Sequence, residues 1–302
     1  MVAAERYVAG SELLGVTSIE TTRPTPSPSG FVDLHVHSTA SDGSSPPADV
    51  VAAAKRAGLS AIALTDHDTI AGIEDATRAG LALGVRVVPG VELSAVEGDV
   101  ETHILGLHLS DTRELEATLA ALREMRRTRA ERIVQRLNDL GVRIELAAVL
   151  EQSAGGAIGR PHVARAMIAE GWAIDFRDAF DRYLASGRPA YVAKERLAIV
   201  DAIGLIHRAG GLAILAHPAQ GGTRERIEAF VRDGIDGVEV RHPGHSNEDI
   251  ARLGALVDHF GLVPSGGSDW HGATDGARTL GTMRVPADWL TRQDGRVRAR
   301  AA

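Results

Sequence analysis

From Phe31 onward, short apolar runs alternate with alanine-rich stretches of helical period, and no other feature limits the fold as strongly. The runs lie at 31–36, 61–65, 85–89, 103–109, 212–216, 236–240 and 262–264. Helix patterns lie between them at 47–57 (opened by Ser45-Pro46-Pro47), 69–83, 200–209, 223–233 and 247–260. Strand then helix, repeated, predicts an α/β fold of parallel strands joined by right-handed crossovers. Seven such strands favour a closed or nearly closed barrel over an open doubly wound sheet. The rhythm breaks between about 110 and 197, where a charged helix pattern (111–140) is followed by shorter helical pieces around 162–170 and 175–185. This reads as an inserted, mainly helical subdomain (111–197) that splits the barrel into 31–110 and 198–285. It leaves after the fourth strand and so lies near the mouth, where barrel chemistry sits.

The ends read as tails. Residues 1–30 finish in Thr-Arg-Pro-Thr-Pro-Ser-Pro-Ser-Gly, which favours an extended, disordered segment, and 286–302, with its basic stretch Arg292–Arg300, reads as a frayed terminus. No apolar run approaches the roughly 18 residues of a membrane span, and no secretory signal is visible, so the expected setting is the cytoplasm, away from membranes. Zero cysteines exclude disulfides and thiolate zinc sites, leaving nitrogen and oxygen ligands for any metal. A formal net charge of -7 argues against broad affinity for a DNA duplex.

The histidines are not scattered. His35 and His37 share one face of the first strand, with Asp42 just beyond. Further candidates fall at or near strand ends: His67 in Leu64-Thr65-Asp66-His67-Asp68, Glu92 after Pro89-Gly90-Val91, His103, His217 in Ala216-His217-Pro218, and Asp269 and His271 in Gly267-Ser268-Asp269-Trp270-His271. The C-terminal ends of barrel strands converge, so ligands dispersed along the chain can meet there. Nine such groups exceed what one ion uses and suit two or three divalent ions: manganese, zinc or iron(II). His108, His207 and His259 fall outside this set.

These motifs resemble the polymerase and histidinol phosphatase (PHP) family of metal-dependent phosphoesterases over about 31–280. Ile158-Gly159-Arg160-Pro161-His162 is similar to a motif in the inserted domain of its 3',5'-nucleotide bisphosphate phosphatase and 5'-to-3' exoribonuclease branch. The resemblance implies a distorted (β/α)7 barrel with a trinuclear, manganese-type site. One ion would take His35, His37, Glu92 and Asp269. Glu92 would bridge to a second ion held by His103 and His217, and Asp42, His67 and His271 would hold a third.

Three ions against three carboxylates favour anions, and metal ions generate hydroxide near neutral pH, so the expected reaction is hydrolysis of a phosphate monoester by a metal-bound hydroxide. The substrate would be a bisphosphonucleotide losing its 3'-phosphate, or short RNA trimmed from its 5' end. Asp68 is a candidate proton shuttle or ligand-orienting group, and equally an N-cap for a helix starting at Thr69. His242 is a second catalytic candidate. Arg160, with the planar fork that suits phosphate, is the leading substrate contact, followed by His162, Lys194 and His245. The arginines of 113–136 read as the solvated face of a helix whose Leu115, Leu119, Leu122, Ile133, Leu137 and Leu140 pack inward. Alternatives are a histidinol-phosphate-type phosphatase, a non-catalytic metal-stabilised module, and hydrolysis of a C–N bond. The oligomeric state is not legible.

Overall fold

The computed structural model describes residues 30–97, 100–153, 158–193 and 197–302. Nearly all of the expected N-terminal tail, Gly155, Gly156, Ala157 and Lys194 lie outside the described residues. One nine-stranded sheet contains β1 (Phe31–Val36), β2 (Ala61–Leu64), β3 (Arg86–Glu97), β4 (Val100–Leu107), β5 (Leu197–Ala198), β6 (Leu212–Leu215), β7 (Gly237–Arg241), β8 (Val263–Gly266) and β9 (Val285–Pro286). Their order is β8-β7-β6-β4-β3-β2-β1-β9, with β5 beside β3. After β8 the chain returns to β1: Val36 and Trp270 form a parallel bridge, and His37 N–H donates to Trp270 C=O at 2.9 Å. The sheet is thereby rolled into a nearly closed barrel, and its seven longer strands coincide with the seven apolar runs.

The helices are α1 (Pro47–Arg56), α2 (Ile73–Leu83), α3 (Arg113–Asp139), α4 (Leu146–Ser153), α5 (Arg160–Ala169), α6 (Phe176–Ala179), α7 (Ile199–Arg208), α8 (Arg224–Arg232), α9 (Asn247–His259) and α10 (Ala287–Ala301). Some of the longer barrel helices have a local reason to start. Pro47 opens α1, and Ser246 and Asp249 form a reciprocal capping box on α9. Their apolar stripes, such as Leu253 and Val257 of α9 with Ile203 and Ile206 of α7, close over the outside of the sheet.

Several expectations need correction. The strands are not all parallel: β4 runs antiparallel to both β3 and β6. Only two residues separate β3 from β4, too few for a crossover helix, so a hairpin is the only connection available. The helix expected from 69 begins at Ile73, after Gly72. The C-terminal stretch is not frayed but forms α10. Leu290 and Gln293 are buried, Gln293 donates to Pro264 C=O at 2.8 Å, and Asp294 takes a bidentate Arg86 at 2.6 and 2.7 Å. One core contact per turn is enough here because the charges between them find partners on the barrel.

Between β4 and β5 the described residues contain α3, α4, α5 and α6. The 27-residue α3 belongs to two cores: Leu115 and Leu119 pack with Leu93, Ile104 and Ile206 of the barrel. Ile133, Val134 and Leu137 pack with Val149, Val163, Met167 and Leu184 of the inserted segment. Leu140, expected inside, is half exposed because α3 ends at the residue before it. No helix among the described residues is long and apolar enough to cross a membrane.

Candidate metal centre

β1 is buried on both sides: Val32 and Leu34 pack with Ala63, Val88, Leu107 and Ile214 of neighbouring strands, Val36 packs with Val50 and Ala54 of α1, and His35 and His37 lie side by side at its end, ring centroids 5.2 Å apart. The end of β8 presses against them. A Cβ on Gly267 would lie 2.4 Å from His35 Cβ, so only glycine lets the Ser268-Asp269 segment reach the histidine pair. His217 and Asp269 adopt left-handed backbone at φ 28° and 50°, a strained geometry for such residues that occurs preferentially at functional sites.

Glu92, fully buried on β3, is the hub. Its Oε1 lies 2.8 Å from His103 Nδ1 and 3.0 Å from His217 Nε2. Its Oε2 lies 3.2 Å from His35 Nε2, 3.3 Å from His37 Nε2 and 3.2 Å from His67 Nδ1. Asp269 Oδ1 faces His35 at 3.5 Å and His37 at 3.3 Å. On the solvent side Asp42 lies 3.2 Å from His271, 3.7 Å from His37 and 4.0 Å from His67. All nine sequence candidates therefore meet in one cluster. It contains three compact donor groups: His35 with His37, Glu92 and Asp269; His67 with Glu92 and His103; and Asp42 with His37, His67 and His271.

This donor set fits divalent cations. Both ring nitrogens of His37, and Nδ1 of His103, are buried without a hydrogen bond, although carboxylate oxygens lie close by. Such orphaned donors are costly unless a charge sits between them. In the metal-free cluster protons do that work. Burial opposes charge on His37, yet Asp269 and Glu92 outweigh it and raise the imidazole to about 9. Against the same burial, Glu101 and Glu92 raise His103 to about 10. For His67 burial wins, and its value falls to about 4. Burial pushes Glu92 up, but the surrounding imidazoles hold it well below the carboxylate range.

Residues 33–210 match the PHP domain family model. The chain is 34% identical over 263 residues to a 3',5'-nucleoside bisphosphate phosphatase of Chromobacterium violaceum, an alignment spanning 83% of this chain and 90% of that one. It is 37% identical over 249 residues to the Escherichia coli 5'-3' exoribonuclease Rnm, spanning 79% and 84%. A crystal structure from Bifidobacterium adolescentis, provisionally described as a metal-dependent phosphoesterase, superposes with a TM-score of 0.73 at 32% identity, covering 89% of this chain and 97% of that one. The chain belongs to the PHP family. It is a hydrolase of the family's metal-dependent phosphoesterase type, with clusters suited to metal.

Around the PHP cluster opens a cleft of about 660 Å³ between the barrel mouth and the inserted segment. The other candidates distribute unevenly around it. Arg160 and His162 line the cleft at the start of α5. Arg160 stacks between Phe180 and Tyr191, at 5.6 and 5.3 Å, and donates to Leu184 C=O. His162 Nδ1 accepts the Gly159 N–H at 2.9 Å, so its hydrogen sits on Nε2. His242 does not line this cleft; its Nδ1 accepts Gly244 N–H and its Nε2 faces Asp269 Oδ2 at 3.4 Å. His245 must be set aside, because Nδ1 donates to Val240 C=O and Nε2 accepts Ala219 N–H. Asp68 is not a helix cap: its carboxylate accepts Ser94 N–H and Oγ–H at 3.0 Å and pairs with Arg126.

Four functional positions escape the sequence reading. Glu239, wholly buried on β7, accepts His35 Nδ1–H at 3.1 Å and His217 N–H at 2.7 Å, leaving His35 Nε2 to face Glu92. Arg129 and Arg165 line the cleft and form no ion pair among the described residues. Arg278, in the loop after His271, pairs with Asp269. A charged residue at an inward strand position signals Glu239. The stripe Leu115, Leu119, Leu122, Arg126, Arg129, Ile133, Leu137 signals the arginines, since two core positions carry guanidinium groups instead of leucines.

Proposed function

We propose that the protein removes the 3'-phosphate from 3',5'-bisphosphonucleotides of the pAp type, releasing a 5'-mononucleotide and phosphate, and trims short RNA from its 5' end, in the cytoplasm. One observation carries this reading: the cleft has two anion-seeking walls. The ligand cluster forms one wall. Opposite stand Arg129, Arg160 and Arg165, none in an ion pair among the described residues, and burial together with Arg160 and Arg126 outweighs Tyr191 and Glu101 and pulls Arg129 below its usual value. Unpaired guanidinium groups crowded together seek an anion, and a nucleotide with phosphates at both ends satisfies both walls.

In this reading His35, His37, Glu92 and Asp269 hold one ion, Glu92 shares a second with His103 and His217, and Asp42, His67 and His271 hold a third. Manganese is the first choice and zinc or iron(II) the alternatives, since imidazole and carboxylate without thiolate suit all three. Bound divalent ions would neutralise charge on the phosphoryl oxygens and acidify a water. The protein supplies the rest. Glu239 fixes the tautomer of His35, and His242 holds Asp269 from behind. Arg160, pinned by stacking and one carbonyl, keeps its remaining N–H groups for the distal phosphate, with Arg129 and Arg165 beside it. His162 presents Nε2–H to the same end of the cleft.

The test is substrate-selective. Arg160→Ala should raise KM for a 3',5'-bisphosphonucleotide much more than for p-nitrophenyl phosphate. Equal losses on both would remove Arg160 from the distal phosphate. The arginine wall disfavours a histidinol-phosphate-type substrate, whose amine carries positive charge, and the full donor set disfavours a non-catalytic module.

A further inference from the structure

Besides the unpaired arginines, the inserted segment sends one paired cation towards the ligand cluster. Arg126, near the middle of α3, is 15% exposed in its side chain and pairs with Asp68, whose side chain is 1% exposed. Asp68 is a knot between three ligand-bearing segments. It directly follows His67, and its own N–H donates to Glu92 C=O at 2.9 Å. Its carboxylate takes both the N–H and the hydroxyl of Ser94, which pairs across the hairpin with His103. Its backbone is left-handed at φ 50°, a conformation an aspartate keeps only when its surroundings hold it there. Its C=O accepts from Arg123, one turn earlier on α3.

The grip is stiff because of where it sits. Leu119 belongs to the barrel core and Ile133 to the core of the inserted segment, so Arg126 lies on one continuous helix at the seam between the two. Removing the cation would leave a buried carboxylate without its charge partner, and the loop it ties would lose that anchor. We propose that Arg126 is a positioning residue for the metal site: by clamping Asp68 it fixes the His67 loop against the strands that carry Glu92 and His103. The inserted segment thus completes the metal-ligand geometry as well as walling the cleft. This rests on the metal reading given above, which fails separately if the wild-type protein binds no divalent ion.

The experiment is a titration of the full-length protein with manganese, followed by calorimetry and by metal content after gel filtration, with activity on p-nitrophenyl phosphate in parallel. Arg126→Met, which keeps volume and removes charge, should weaken the most loosely held ion by about 10–100-fold, in the range seen when a group behind a metal ligand is lost. Its kcat should fall at limiting manganese and recover at saturating manganese, with KM nearly unchanged. Arg126→Lys, which keeps one charged donor, should fall between wild type and Met, and it decides the question if the Met variant does not fold. In the double variant with Asp68→Asn the two losses should not add, because the pair acts as a unit. Wild-type manganese affinity in both Arg126 variants would overturn the proposal, as would a rise in KM with metal binding intact, which would make Arg126 a substrate contact.

Discussion

The two walls of the cleft attract anions by different means. The floor is built from strand ends: His35, His37, Glu92 and Asp269 are buried, two ligands sit on left-handed backbone, and Glu239 stands behind His35. The opposite wall is built from helices, and its arginines are held by stacking and by backbone carbonyls, as with Arg129 on Val192 C=O at 2.9 Å. A floor of this kind fixes geometry to fractions of an ångström and tolerates little change. A wall of guanidinium groups sets which phosphate ester is preferred while leaving the chemistry intact.

That contrast can be broken at several points. The largest effect is expected at Glu92, because five imidazoles depend on it. Glu92→Gln should lose metal and lower kcat on the order of 10³-fold, since a metal site supplies several kcal/mol at the transition state. An active, fully metallated variant would show that the floor is not the catalytic centre. Glu239→Gln acts through His35 and should cost about 10–100-fold in metal affinity, with the loss reversed by excess manganese. A change in substrate preference instead would blur the distinction between floor and wall. Arg165→Ala should raise KM for a bisphosphonucleotide roughly tenfold, the value of one charge-assisted contact, with p-nitrophenyl phosphate kinetics unchanged.

A pH series sharpens the same comparison. Carboxylates raise His37 to about 9 and His103 to about 10 from a usual 6.5, so both carry protons at neutral pH when no metal is present. Those protons stabilise the metal-free fold below 6.5, and that contribution fades as pH climbs through 9 and 10. Metal must expel them, so affinity should rise over the same interval, with proton release visible by calorimetry in buffers of different ionisation enthalpy. Affinity independent of pH would mean that these imidazoles are not displaced by metal. The smallest effect on chemistry is expected far from both walls. Leu290→Ala in α10 should cost about 2–5 kcal/mol of stability and leave kcat alone, because its cavity opens under the barrel rather than at its mouth.

The floor was legible in the sequence and the wall mostly was not. Histidine and carboxylate pairs at strand ends announce themselves, because the barrel can bring those ends together in only one place. The arginines of α3 looked like solvent charges, since seven of them crowd 113–136, and only the interruption of the leucine stripe at 126 and 129 marks the two that turn inward. His245 misled because a histidine after a strand end looks the same whether its nitrogens face a substrate or a backbone. The antiparallel β4 and the docked α10 depend on a short connection and on partners distant in sequence, which periodicity does not register.

The two-wall arrangement is tested most directly by manganese-dependent phosphate release from adenosine 3',5'-bisphosphate and from adenosine 3'-phosphate at equal concentration. The expected result is a kcat/KM about tenfold or more higher for the bisphosphate, with the 5'-mononucleotide as product and the gap closed by Arg160→Ala. Equal kcat/KM for the two substrates in the wild-type protein would contradict it.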